Sequence, residues 1–241
     1  ERTFSKLTDR VIVLNRSALK KINSVLSPRK TRLIYDGIDL NFEVKEADVR
    51  VIKEELGFQG EFCVGFMGRL VVDKEVSVFI RAAALVKQRH TYVKFLIVGA
   101  DPDGNNQYRE YLDALVEELG LKGDIVWAGW RHKKYDWISV MDVLVQTSSH
   151  EGFGLTCVEA MALAKPVIAS DIPGPGDIVE NGKTGYLVTP KDPHALGQAI
   201  IKLIESPKLV LQLGLAGQGS MRRRFDIKRN VEEIKTVYRE L

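Results

Sequence analysis

Cysteine is nearly absent: Cys63 and Cys157 are the two in 241 residues. So few thiols exclude a disulfide-stapled scaffold and fit a reducing compartment. Both sit in apolar segments, where a thiol behaves as a small buried hydrophobe. Histidine is scarce too, and His90, His132, His150 and His194 are scattered, so no metal site is visible. No apolar run approaches the roughly 20 residues that a membrane-spanning helix needs. Nor does a signal peptide open the chain. Neither sign of charge dominates: 35 Lys and Arg stand against 32 Asp and Glu, a net +3 that gives no argument for nucleic acid. Internal repeats and low-complexity segments are missing as well.

What is present is a folding core, with 45% hydrophobic residues. The length is long for one α/β domain and short for two full ones. Short β-branched runs alternate with helical patterns, which predicts a parallel sheet with helices on both faces. Strands are expected at 11–14, 32–35, 62–66, 94–98, 125–128, 143–146, 166–169 and 185–188. Helical spacing shows at Val76, Phe79, Ile80 and Ala83 and again at Leu196, Ala199, Ile200 and Leu203. Further helices are expected over about 106–119, 154–163, 209–218 and 227–240.

The most informative stretch is Ser148-Ser149-His150-Glu151-Gly152-Phe153-Gly154-Leu155, running into Thr156-Cys157-Val158-Glu159-Ala160-Met161-Ala162. An apolar strand leads into a glycine turn that opens a helix. Unpaired amides and the helix dipole make such a turn a phosphate site. Two carboxylates there would repel phosphate alone, but they suit a ligand that also carries hydroxyls, as a nucleotide sugar does. Glu151-x7-Glu159 with Gly-Phe-Gly after the first Glu resembles the donor-binding half of the retaining GT-B glycosyltransferases of family 4, also called glycosyl transferases group 1.

The resemblance covers nearly the whole chain and implies a Rossmann-like fold, one half of a GT-B pair. Residues 1–40 would be the tail end of the N-terminal, acceptor-binding domain. Residues 41–241 would form the nucleotide-sugar-binding domain with a C-terminal crossover helix. Glu1, in place of Met, reads as a boundary within a longer protein. The remnant's apolar face needs a cover, and Val231, Ile234, Val237 and Tyr238 of the last helix are the candidates. On this reading the chain alone transfers negligibly, because acceptor contacts come from the other domain.

Four loops carry the expected site. In Gly65-Phe66-Met67-Gly68-Arg69-Leu70 with Asp73-Lys74, Arg69 and Lys74 suit a diphosphate; the plain alternative is a solvated basic loop. The family has Lys-Gly where this chain has Lys74-Glu75, an acid beside the expected diphosphate cation. Gly99 in Val98-Gly99-Ala100-Asp101 is either a simple turn or a nucleotide contact at a strand's carboxyl end. In Ala128-Gly129-Trp130-Arg131, Trp130 or Arg131 stacks on a base, or the Trp is buried behind the loop. By the resemblance, Glu151 and the amides of Gly152, Phe153, Gly154 and Leu155 meet sugar and phosphates, and Glu159 accepts from the ribose diol; the plain alternative for Glu159 is a solvated helix face. His150 touches the sugar or pairs locally. Ala164 replaces a common Gly at a helix end, a small change expected to be tolerated.

The resemblance therefore implies retaining, metal-independent transfer of a hexose from a UDP- or GDP-linked sugar to a glycan or lipid-linked acceptor. Arg69 and Lys74 would stabilise the leaving diphosphate and Glu151 would orient the sugar. No cofactor and no protein nucleophile are implied. A cytoplasmic location follows, with the inner face of the membrane as a second station. Arg222-Arg223-Arg224 with Lys228 and Arg229 reads as a solvated helix start, or as a contact with anionic head groups. Two rivals remain: a GT-B epimerase or phosphorylase, and a nucleotide-sugar-binding module without transfer.

Overall fold

The eight β-branched runs all become strands, in two parallel sheets. The computed structural model describes residues 8–104 and 106–241. β1 (Val11–Val13) and β2 (Thr31–Leu33) pair with each other. β3 (Phe62–Met67), β4 (Val93–Val98), β5 (Ile125–Gly129), β6 (Val143–Gln146), β7 (Val167–Ser170) and β8 (Gly185–Val188) form a six-stranded sheet in the order β5-β4-β3-β6-β7-β8. The chain moves outward from β3 to β5, then returns to the centre and moves outward the other way. β3 and β6 are thus neighbours at a topological switch point, where open α/β sheets bind ligands beyond the carboxyl ends of the strands.

Side-chain alternation splits the core between the two faces, as the period of a strand requires. Val64, Phe66, Phe95 and Ile97 enter one cluster, with α3 (Val76–Lys87), α4 (Gln107–Glu118) and α8 (Pro193–Ile204) above them. Cys63, Leu96 and Val98 enter the other, with α2 (Glu46–Glu55), α5 (Lys134–Val140) and α6 (Leu155–Ala162). α1 (Arg16–Asn23) lies between β1 and β2, and the short α7 (Pro175–Ile178) follows β7. α9 (Pro207–Arg224) packs on α6. α10 (Ile227–Arg239) ends the chain.

Three helices, α1, α2 and α5, were not expected. None announces itself locally: α1 buries no residue, α2 buries Ile52 alone, and α5 is seven residues long. Helices this short are stabilised by packing rather than by propensity. The basic run is a correction. Arg222, Arg223 and Arg224 form the last turn of α9, which suits cations at the negative end of the helix dipole, whereas Lys228 and Arg229 do stand at a helix start, that of the following helix. Arg224 donates to the carbonyls of Asp177 and Ile178 and lies over the Phe225 ring, so it serves the fold.

The first segment does meet the last helix. Ile38 N donates to Phe225 O at 2.9 Å, and Ile227 N donates to Ile38 O at 3.0 Å. Gly37 is needed there, since a Cβ would stand 2.7 Å from Ile227 Cα. Asn230 Nδ2 donates to Tyr35 O at 2.7 Å, and Arg32 pairs with Glu240 at 2.6 Å. The apolar cover is narrower than expected. Val237 is buried and Ile234 half-buried, whereas Val231 and Tyr238 are exposed. Much of this junction is made of hydrogen bonds and ion pairs, which hydrophobic spacing does not report.

Candidate functional site

Four loops meet at the carboxyl edge of the sheet, tied by backbone bonds. Gly68 N donates to Val98 O at 3.0 Å, Leu70 N to Ala100 O at 2.9 Å, and Gly99 N to Gly129 O at 2.9 Å. Ser149 N donates to Asp73 O at 2.9 Å, and Thr147 Oγ1 to Lys74 O at 2.7 Å. A Cβ on Gly99 would stand 1.8 Å from Gly68 O, so the approach of two loops accounts for that glycine without any ligand. Two cavities open on this edge. One, of about 340 Å³, is lined by Gly68, Arg69, Gly99, Trp130, Arg131, Lys134, Thr156 and Glu159 among others. The second, of about 400 Å³, is lined by Arg69, Lys74, His150, Glu151 and Gly152 among others. Arg69 belongs to both, is exposed, and has no ion-pair partner among the described residues.

Lys74 and Glu151 are an ion pair. The Lys74 ammonium donates to Glu151 Oε1, with the two side chains only 17% and 16% exposed. The same oxygen accepts from Gln146 Nε2 at 2.9 Å and from Ser148 Oγ at 3.3 Å. Cys157 Sγ donates in turn to Gln146 Oε1 at 2.7 Å. Burial first, then the nearby Glu151 charge, pushes the Cys157 thiol far up, so it is an inert brace and no nucleophile. Lys74 is therefore pinned rather than mobile. Glu75 takes a left-handed conformation (φ 50°) and sends its carboxylate to Lys191, 3.1 Å away. The acid that stands in place of glycine is occupied on a partner of its own.

Gly154 opens α6 in a left-handed conformation (φ 109°), which favours glycine. The Phe153 ring packs against Tyr35 and Phe225 at 5.8 and 5.4 Å between centroids and is buried. Its side chain is thus committed to the core, and only its main chain remains for a ligand. Behind this loop stands a residue that the sequence did not reveal. Asn15 Oδ1 accepts from Ala18 N at 2.7 Å, capping α1, while its Nδ2 donates to Gly152 O at 2.8 Å. The first segment of the chain thereby braces the glycine loop across 137 positions.

Glu159 is 6% exposed, so it is no solvated helix-face residue. Lys134, at the start of α5, reaches Glu159 Oε1 at 2.5 Å. Burial pulls the Lys134 pKa down, but the hydrogen bond and charge of Glu159 outweigh it and leave it raised. Trp130 is 62% exposed, which removes the reading of a Trp buried behind its loop. Its ring stands edge-on to His132 at 4.1 Å, whereas the Arg131 guanidinium lies over the buried Trp137 at 4.6 Å. His150 meets Ser149 Oγ at 3.3 Å, a local contact, and also lines the second cavity. Asp101 and Asp103 are spaced as Asp-x-Asp, but the Asp101 carboxylate accepts from the Asp103 amide at 2.8 Å and so shapes its own turn. Among the described residues no three of His, Cys, Asp and Glu gather as they would round a metal ion. Likewise no described helix is long and apolar enough to cross a membrane.

The chain is similar to known proteins along its whole length. It is 31% identical over 210 residues to the lipopolysaccharide core biosynthesis mannosyltransferase LpcC of Rhizobium leguminosarum bv. viciae, covering 87% of this chain and 59% of that protein. The match to the alpha-D-kanosaminyltransferase of Streptomyces kanamyceticus is 25% over 241 residues, 98% of this chain and 59% of that one. Among solved structures, Anabaena Alr3699/HepE in complex with UDP-glucose superposes with a TM-score of 0.90 at 27% identity, covering 97% of this chain and 64% of that chain. The chain thus spans about three fifths of the length of these relatives. Its residues 48–219 match the family model for glycosyl transferases group 1. That match takes in the loops after β3, β4, β5 and β6 and both glutamates, and the chain belongs to the glycosyl transferases group 1 family.

Proposed function

We propose that this chain supplies the donor site of a glycosyltransferase that moves a hexose from a UDP-sugar to an acceptor hydroxyl, with retention and without a metal ion. The observation that carries the reading is Arg69, an exposed guanidinium without an ion-pair partner among the described residues, shared by two cavities that each hold one glutamate of the Glu-x7-Glu pair. The solved relative in complex with UDP-glucose supports the choice of base.

Arg69 and Lys74 meet the diphosphate, where charge develops as the bond to the sugar C1 breaks. Amides at the opening of α6 add the favourable end of the helix dipole. Glu151 accepts from sugar hydroxyls, and its bonds to Lys74, Gln146 and Ser148 fix its direction. Glu159 accepts from the ribose diol, and Trp130 offers its face to the base. The acceptor oxygen forms the new bond to C1, and its proton passes to the leaving phosphate oxygen. No protein general base is assigned. The acceptor is a glycan or a lipid-linked sugar, met in the cytoplasm.

Calorimetric titration with UDP, GDP and ADP and their hexose forms tests the reading, repeated with Arg69→Ala. UDP and UDP-hexose should bind at near-millimolar affinity or better, about −4 kcal/mol, and Arg69→Ala should abolish it. No binding across the panel, or binding indifferent to Arg69, overturns the donor site. Retention is checked separately, by NMR of the anomeric proton of the product.

A further inference from the structure

Lys134 stands where its own helix does not favour it. It is the first residue of α5, where the helix dipole disfavours a cation. Nearly half of its side chain is exposed, yet its ammonium turns to the buried Glu159 at 2.5 Å, 25 positions away. It lines the same cavity as Arg69, Thr156 and Glu159. A lone buried carboxylate in that cavity would oppose any anion placed beside it. Yet a carboxylate is what a ribose diol calls for. The two demands conflict unless a cation accompanies the glutamate, and Lys134 supplies it at Oε1.

Resting on the donor-site reading, we infer that Lys134 is a specificity-determining residue: its ammonium offsets the Glu159 charge, so that the site takes a nucleoside diphosphate in preference to a nucleoside. Lys134 stays on Glu159 when the ligand binds. It thereby keeps the charge near the diphosphate neutral at Glu159 and leaves Arg69 to act uncompensated. The ligand class is a ribonucleoside diphosphate, and the discrimination is against the uncharged nucleoside.

The test titrates the wild-type chain, Lys134→Met, Lys134→Arg and the double variant Lys134→Met with Glu159→Gln. UDP is the ligand, and uridine is the competitor that displaces it. Lys134→Met should weaken UDP about tenfold while uridine changes less than twofold. Lys134→Arg should bind UDP like the wild type. The double variant, neutral again at this position, loses the ribose acceptor and should weaken UDP and uridine alike, but its UDP-to-uridine affinity ratio should return to within about twofold of the wild type. UDP binding by Lys134→Met that equals or exceeds the wild type overturns the inference, because the lysine is then a bystander or an obstacle. Equal losses for UDP and uridine in Lys134→Met, or a double variant whose UDP-to-uridine ratio stays at the Lys134→Met value, also overturn it in favour of a structural role. No UDP binding by the wild-type chain overturns the donor-site reading itself, and this inference with it.

Discussion

Two lysine–glutamate pairs stand at the carboxyl edge of the sheet, and they are built differently. Lys74–Glu151 is enclosed on both sides, and its carboxylate takes two further hydrogen bonds, from Gln146 and Ser148. Its loop is braced from behind by Asn15. Lys134–Glu159 joins a buried acid to a lysine nearly half in solvent. A charge pair sealed from water gains from its partners and suffers when one is removed. One with an open arm is screened and adjustable. The first pair thus acts as a fixed wall, and the second as a charge that can be set beside a ligand. The proposed ligands match this difference: a sugar whose orientation decides the chemistry lies at the wall, and a ribose common to all nucleotides lies at the adjustable pair.

The largest expected effect comes from breaking the wall. Lys74→Met leaves a largely enclosed carboxylate without its cation and should cost about 3 kcal/mol of stability, read by urea denaturation. A loss below about 1 kcal/mol would remove the contrast between the pairs. Asn15→Ala takes a helix cap and the partner of Gly152 O together, and about 1.5 kcal/mol should be lost. Donor affinity should fall as well, because the glycine loop is freed; unchanged affinity would show that the brace does not reach the site. Lys134→Met leaves Glu159 buried without its cation, but the half-exposed lysine brought a screened charge, so about 1.5 kcal/mol should be lost in the same denaturation series. Should it rival Lys74→Met, the openness of the second pair has no energetic meaning. The smallest effect concerns the end of the helix that carries Glu159. Ala164 holds a left-handed conformation there (φ 53°), so Ala164→Gly should add about 0.5 kcal/mol and leave UDP affinity unchanged. A change in affinity would tie the position of Glu159 to that helix end.

The two pairs also differ in how far the sequence announces them. Lys74 and Glu151 belong to patterned loops at the ends of strands, and the Gly-Phe-Gly turn marks a helix opening by residue type alone. The strands were legible for the same reason, since β-branched runs are local. Lys134 was not legible. It sits in a seven-residue helix after a loop rich in basic residues, and nothing local sets it apart from Lys133. Asn15 and Gln146 escaped likewise. Gln146 left a faint signal, a polar residue ending the wholly buried strand Val143–Gln146, as a residue serving the site would. Asn15 is a helix cap by residue type, but its bond to Gly152 left no signal, because that partner lies 137 positions away. Glu75 shows the converse. An acid beside a proposed diphosphate site looked awkward in sequence, and its reach to Lys191 removes the difficulty.

A crystal structure of this chain soaked with UDP-glucose decides whether the carboxyl edge of the sheet holds the donor. The diphosphate should lie on Arg69, the ribose on Glu159 with Lys134 still in contact, and the glucose hydroxyls on Glu151. A nucleotide bound away from Arg69, or a ribose clear of Glu159, would contradict this arrangement.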